Sequence, residues 1–280
     1  MPSAHLLKIL VSIALAAVPA FIWAIIFLKK RKEPLGTVMI TFVAGMVSVA
    51  PIIIYKLSWQ YLPGLNLFTY FDRFGQNTLG FTGLLYLPVS TLLSFLLVGV
   101  IEEYAKHLAV KTADSGKFKN VDDSIEYSII AALGFSFVEN VMYFFYIWQY
   151  QGIDTLYLSF IFRAIFSTFA HVLFSGVYGY YYGLAYFAEP IYQDEIRKNR
   201  HPAINFLHKI LNLKSETIFA DEKIAQGLMY AVILHAFFNV MLELDITYVI
   251  VPFLIWGYSG LSYLFAKKKS QVEFGNVVGR

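Results

Sequence analysis

The sequence predicts an all-α, polytopic membrane protein of about seven transmembrane helices, and three observations predict it. The 280 residues are 58% hydrophobic and only 15% charged, with a mean hydropathy of +0.59, whereas about a quarter of a soluble domain is charged. The apolar runs are continuous over ~20 residues, the length that crosses a ~30 Å hydrocarbon core as a helix. They do not alternate, which excludes an outer-membrane barrel. Basic residues gather in every second connection between the runs, as the positive-inside rule requires.

The first span covers about 6–28. It is too long for the apolar region of a secretory signal, and its basic cluster (Lys29, Lys30, Arg31, Lys32) follows the run instead of preceding it, so an uncleaved span is expected. The second covers 35–56. A long aromatic, glycine-bearing connection then fills 57–85 (YLPGLNLFTYFDRFGQNTLGFTG within it). It has room for a re-entrant or interfacial helix, which would make an eighth membrane element. The third span covers 86–111, the fourth 124–148 and the fifth 156–188, long enough to require tilt or emergence into the cytoplasm. The connection 189–223 contains LHKILNLKS, a short amphipathic pattern suited to a membrane surface. The sixth and seventh spans cover 224–243 and 247–266.

Orientation follows from charge. Loop 29–34, loop 112–123 (Lys117, Lys119), segment 189–223 (Arg197, Lys198, Arg200, Lys209, Lys214, Lys223) and the tail from Lys267 fall on one side. The other side carries Asp72 with Arg73, Asp154, and Glu243 with Asp245. The N-terminus is therefore expected outside and the C-terminus in the cytoplasm of a multi-pass cell-membrane protein. Residues 1–280 read as a single integral membrane domain, without repeat, low-complexity tract or linker. With no cysteine there is neither a disulfide framework nor a thiol nucleophile. A net charge of +3 held in loops gives no nucleic-acid footprint.

Four polar clusters interrupt the apolar spans: Glu102, Glu103 and Lys106 on the third; Glu139 and Asn140 on the fourth; His171 on the fifth; His235 and Asn239 on the sixth. A charge at the bilayer centre costs about 2.5–3.5 kcal/mol on insertion scales. Four such clusters on four helices argue for a shared buried site. Counted from the outer ends at ~1.5 Å per residue, Glu139 and His235 lie at one level and Glu102, Glu103 and His171 roughly 9 Å deeper, so all occupy one slab around the midplane. Lys106 sits three and four residues beyond Glu103 and Glu102 and can neutralise one of them, leaving the other for proton work. Asn239 shares a face with His235 and can orient the imidazole or donate to an oxyanion. Arg163 enters the fifth span near the depth of Glu139 and is its expected partner. Gly176, Gly179 and Gly183 give small-residue spacings for close helix approach. His5, His201 and His208 read as solvated.

Taken in order, these motifs resemble the PrsW family of intramembrane proteases. The residues that carry the resemblance are E-E-x-x-K at Glu102–Lys106, G-F-x-x-x-E-N at Gly134–Asn140, His171 with its small followers, and H-x-x-x-N at His235–Asn239. The region from Trp23 to Lys32-Glu33-Pro34 is similar to that family's first span and exit. The family is similar in turn to the CAAX-protease and bacteriocin-processing group, from which this chain departs in ending its second motif on Glu139 instead of histidine. The resemblance implies site-1-type cleavage of a single-span or membrane-anchored protein, with anti-sigma factors as the substrate type. Glu102 or Glu103 would then be the base, His171 and His235 ligands or acid partners, and Asn140 and Arg163 supporting groups. Zinc is an expectation with His171, His235 and Glu139 as ligands, although the H-E-x-x-H spacing is absent; a metal-free, glutamate-activated water is the other form of the same reaction. A proton-coupled transporter and an inactive protease-like scaffold are the alternatives from other classes.

Overall fold

A computed structural model describes residues 2–28, 34–81, 85–114, 118–189, 191–192 and 215–269. The amphipathic pattern LHKILNLKS, His201, His208 and Lys117 lie outside the described residues. The described chain is almost wholly helical: α1 (Pro2–Leu28), α2 (Leu35–Val47), α3 (Ala50–Ser58), α4 (Leu67–Phe71), α5 (Val89–Asp114), α6 (Val121–Tyr150), α7 (Ile153–Phe162), α8 (Thr168–Tyr186), α9 (Ser215–Glu243) and α10 (Thr247–Lys269). Five helical stretches are long and apolar enough to cross a membrane: 5–26, 35–58, 121–150, 153–186 and 215–243. With α1, α2, α7 and α10 turning residues such as Phe21, Leu158 and Trp256 outward, this is a multi-pass membrane protein.

Local chemistry sets the boundaries. The span expected over 35–56 is broken at Ser48 and Val49, because Pro51 in the first turn of α3 supplies no N–H and the Ser48 hydroxyl donates to the Gly45 carbonyl at 2.6 Å. Helix α6 opens on Asn120, whose side chain accepts from the Asp123 N–H at 3.1 Å, while Asp123 Oδ2 accepts from Lys119 N–H at 2.7 Å. The two acidic residues of that turn also suit the helix dipole.

The structure bears on three expectations. Segment 57–85, with room for a re-entrant or interfacial helix, holds one α-helix of five residues, α4, among its described residues. It folds into helical turns of three to five residues at 63–74 and a hairpin, β1 (Thr78–Phe81) antiparallel to β2 (Leu85–Pro88). Proline, glycine and asparagine at 63, 64 and 66 punctuate the chain too often for a longer helix. Helix α5, where the third span is expected, accordingly starts at Val89, after the hairpin. The fifth is not one plain helix: α7 and α8 are joined through a π-helical turn, Arg163–Ser167.

Helix α6 is the axis of the packing. Gly45 of α2 lies against the Ala131 backbone, and Gly134 of α6 against the Phe42 carbonyl, so α2 and α6 meet at a distance only glycine permits. Gly179 and Gly183 of α8 press on Ile125, Ser128 and Val121 of α6, and Gly176 on Leu261 of α10, as small-residue spacing predicts. Ser124 Oγ donates to the Gly179 carbonyl at 2.8 Å across this contact. Helices α5 and α9 close the other side, so α5, α6, α8 and α9 surround one polar interior.

Candidate functional site

All four polar clusters meet in that interior. Lys106 and His107 do not snorkel outward: both are buried, Lys106 to 2% exposure. The Lys106 ammonium donates to Glu103 Oε1 at 2.7 Å and to His171 Nδ1 at 3.0 Å. It also stands 4.3 Å from the Phe135 ring centroid, a cation–π contact that partly replaces its lost water. His107 pairs with the Tyr178 hydroxyl on the flank of the cluster.

The two site histidines stand with ring centroids 5.4 Å apart and planes nearly perpendicular. His235 Nδ1 meets Glu103 Oε1 at 2.7 Å, the same oxygen that receives Lys106. A carboxylate facing an ammonium only accepts, so Nδ1 carries the hydrogen and Nε2 presents its lone pair. That lone pair points toward Glu102 Oε2, 3.6 Å away. His171 is held the other way round. Lys106 has no acceptor, so His171 Nδ1 accepts and Nε2–H donates to Glu139 Oε2 at 3.0 Å. Phe174 stacks on His235 at 5.2 Å.

Glu139 is bound to Arg163 as its depth predicted: Nη2 donates to Glu139 Oε2 and Nε to Asn140 Oδ1, each at 2.6 Å. Arg163 also lies 3.9 Å from the Tyr143 ring centroid. Asn140 Nδ2 in turn donates to Thr168 Oγ1 at 3.2 Å and, more weakly, to Ser136 Oγ at 3.4 Å. The ~9 Å difference in level anticipated between Glu139 and His171 is closed here. The long glutamate side chain, the histidine and helix inclination span it.

A cavity of about 320 Å³ opens onto these groups. Glu102, Glu139, Arg163, His171, His235 and Asn239 line it, with apolar walls from Phe95, Val98, Phe238 and Leu242. Asn239 is thus at the site, but the bond that orients His235 comes from Glu103. Glu102 Oε2 is fully buried and has no hydrogen-bond partner. A buried carboxylate oxygen without a hydrogen bond is costly; His235 Nε2 stands 3.6 Å from it, and a cation held between them would offset that cost.

The donor set fits a divalent ion. Glu102, His171 and His235 each offer one atom, all within 4.8 Å of one another and all buried. Glu139, the carboxylate expected with these two histidines, contacts His171 Nε2 at 3.0 Å, and Glu102 is the carboxylate grouped with both rings. One carboxylate and two imidazoles leave one tetrahedral position open, the arrangement of catalytic zinc sites. Glu103 behind His235 supplies the carboxylate–histidine contact that fixes a ligand's tautomer. His171 Nε2 would join only in the other tautomer, Nε2 giving its proton up to solvent while Nδ1 takes one from the Lys106 ammonium.

Sequence reasoning missed Ser136, Thr168 and the stacked Phe174. Ser136 was within reach, four residues before Asn140 in the same motif. Trp23, read there only as part of the first span, donates from Nε1 to the Ala164 carbonyl at 3.0 Å across 141 residues, a contact with no local signal.

The family model described as PrsW family intramembrane metalloprotease matches residues 33–261. Protease PrsW of Geobacillus kaustophilus (strain HTA426) is 30% identical over 158 residues, 56% of this chain. The match spans 57% of that relative's length. No solved structure matches.

Proposed function

This chain belongs to the PrsW family of intramembrane metalloproteases, and from that premise we propose that it hydrolyses a peptide bond in a membrane-anchored protein. The observation that carries the reading is the buried triad Glu102, His171 and His235 with the unpartnered Glu102 Oε2, open to a cavity that also holds a second carboxylate. In this reading residues 1–280 act as one domain crossing the bilayer seven times, N-terminus outside and C-terminus cytoplasmic, in keeping with the distribution of Lys and Arg. The substrate is a single-span or anchored protein cut in the site-1 manner; the anti-sigma-factor type rests on the family resemblance.

Glu102, His171 and His235 would hold the metal. When bound, zinc supplies a more acidic water and an electrophile for a carbonyl oxygen. The chain's own groups supply the rest. Glu139 accepts the proton of the attacking water, whose oxygen adds to the carbonyl carbon of the scissile peptide. The Arg163 guanidinium, 2.6 Å from Glu139, keeps that carboxylate aimed into the cavity. As the C–N bond breaks, Glu139 returns the proton to the leaving amine, so that water is divided between the two new termini. Glu103 and Lys106 do not reach the reacting atoms in this scheme: they hold His235 and His171. Asn239 lies where an amide N–H can donate to the developing oxyanion. Phe95, Val98, Phe238 and Leu242 exclude bulk water.

The test is cleavage of a panel of single-span substrates by the purified protein in detergent, with metal content measured in parallel. Wild type is compared with Glu102→Gln and Glu139→Gln, each with and without a chelator. The reading expects Glu102→Gln to lose metal and cleavage together, and Glu139→Gln to lose cleavage while keeping metal. Chelator-resistant cleavage that still needs Glu102 would make Glu102 the base of a metal-free peptidase. Proton flux in liposomes with no cleavage across the panel would favour the transporter.

A further inference from the structure

The π-helical turn at Arg163–Ser167 lies at the junction of the first helix and the site. An α-helix with one extra residue in a turn leaves carbonyls without their usual N–H donors, and inside a bilayer such groups need other partners. Two side chains contribute. Thr168 Oγ1 adds a bond of 2.9 Å to the Arg163 carbonyl, which also accepts the Thr168 backbone N–H, and Trp23 Nε1 of α1 donates to the Ala164 carbonyl at 3.0 Å. The Trp23 indole is fixed by stacking on Phe169 at 4.9 Å. The turn divides two spaces: Arg163 and Ser167 face the polar cavity, whereas Phe166 faces an apolar cleft that Trp23 also lines.

A plain α-helix of the same sequence would rotate every residue before the bulge by about 100° relative to α8. Arg163 is the first residue of the turn, so that rotation would withdraw its guanidinium from Glu139 and Asn140. The turn is therefore what aims Arg163, and its carbonyls are held by Thr168 from one side and Trp23 from the other. Thr168 is itself the acceptor for Asn140 and Ser136, which joins the turn to the partners of Arg163. Helix α1 lies outside the residues matched by the family model, and Trp23 has no place in the motif set.

We propose that Trp23 is a positioning residue, which sets Arg163 on Glu139 and Asn140 by holding the Ala164 carbonyl of the π-turn. The kinetic arm of its test rests on the peptidase reading; the spectroscopic arm does not. Full-length protein with ¹⁵N-labelled arginine is studied in detergent, the Arg163 Nε–H resonance being assigned by its absence in Arg163→Gln. Trp23→Phe keeps an aromatic ring but deletes the N–H donor with the rest of the pyrrole ring, and Thr168→Val removes the hydroxyl at the other end of the turn. Each is expected to shift the Arg163 Nε–H resonance away from its hydrogen-bonded position. Each should also lower kcat about fivefold, the weight of one hydrogen bond, with KM within about twofold of wild type and metal content unchanged. In an Arg163→Gln background Trp23→Phe should cost nothing further.

An unmoved Arg163 resonance in Trp23→Phe overturns the proposal, as does a kcat loss that adds in full to that of Arg163→Gln. A lowered melting temperature with unchanged kcat and an unmoved resonance would make Trp23 a packing residue. Should wild type cleave nothing, the peptidase reading falls, and the resonance still decides the role of Trp23.

Discussion

His171 and His235 are neighbours of the same type, their ring centroids 5.4 Å apart, and the protein holds them in opposite ways. His235 is anchored through Nδ1 by a carboxylate, Glu103, and leaves its Nε2 lone pair free, 3.6 Å from Glu102 Oε2. His171 is anchored through Nδ1 by an ammonium, Lys106, and its Nε2–H is engaged with Glu139. One imidazole is a ligand in waiting; the other must exchange a proton before it can bind a cation. Metal affinity is expected to rest first on Glu102 and His235 and then on His171, which can bind through Nε2 only once its hydrogen sits on Nδ1. Lys106 serves both rings, so one buried cation sets the tautomers of two histidines.

The largest effect is expected where the two sides share a group. Glu102→Gln removes the unpartnered oxygen, and loss of both metal and cleavage by about 10³-fold or more is expected, read by metal analysis and peptide release. Glu139→Gln tests the His171 side, with cleavage lower by about 10²–10⁴-fold and metal content close to wild type. Metal lost along with activity in that variant would make Glu139 a ligand and break the asymmetry between the histidines.

Glu103→Gln tests the His235 side. It leaves the Lys106 ammonium buried without its anion, so a stability loss of about 3 kcal/mol is expected, together with a 10–100-fold weaker metal affinity. Thermal unfolding and competition with a chromophoric chelator measure the two. Unchanged metal affinity with cleavage abolished would return Glu103 to the role of base. Asn239→Ala should have the smallest effect, a fall in kcat of about tenfold at unchanged metal affinity, as for one lost oxyanion donor in a wet cavity; a loss of metal instead would show that the amide, and not Glu103, orients His235.

The parts of the site that were legible in the sequence are those expressed within one helix. E-E-x-x-K places Lys106 one turn from both glutamates, and H-x-x-x-N places Asn239 one turn from His235. The Glu139–Arg163 pair was legible because a lone buried carboxylate needs a cation and Arg163 was at the right depth. Which of Glu102 and Glu103 faces the cavity was not, since adjacent residues point ~100° apart and only the neighbouring helices say which direction is inward. The π-turn was equally hidden, because RAIFS has no proline or glycine to mark it. Residues 57–85 were legible as a break in the membrane pattern but not as a hairpin.

The sequence by itself determined that this protein lives in a membrane, which helices carry its polar residues and to which family it belongs. Hydropathy, charge placement and motif order are properties of single segments. The tertiary structure decided the rest: that Glu103 bonds His235 and Lys106 while Glu102 lines the cavity, that the two histidines meet partners of opposite charge at Nδ1, and that a tryptophan 141 residues from Ala164 reaches its carbonyl. Those assignments depend on which donor meets which acceptor between helices, and inside a bilayer, where water is absent, each buried polar atom takes its role from the partner that packing brings to it.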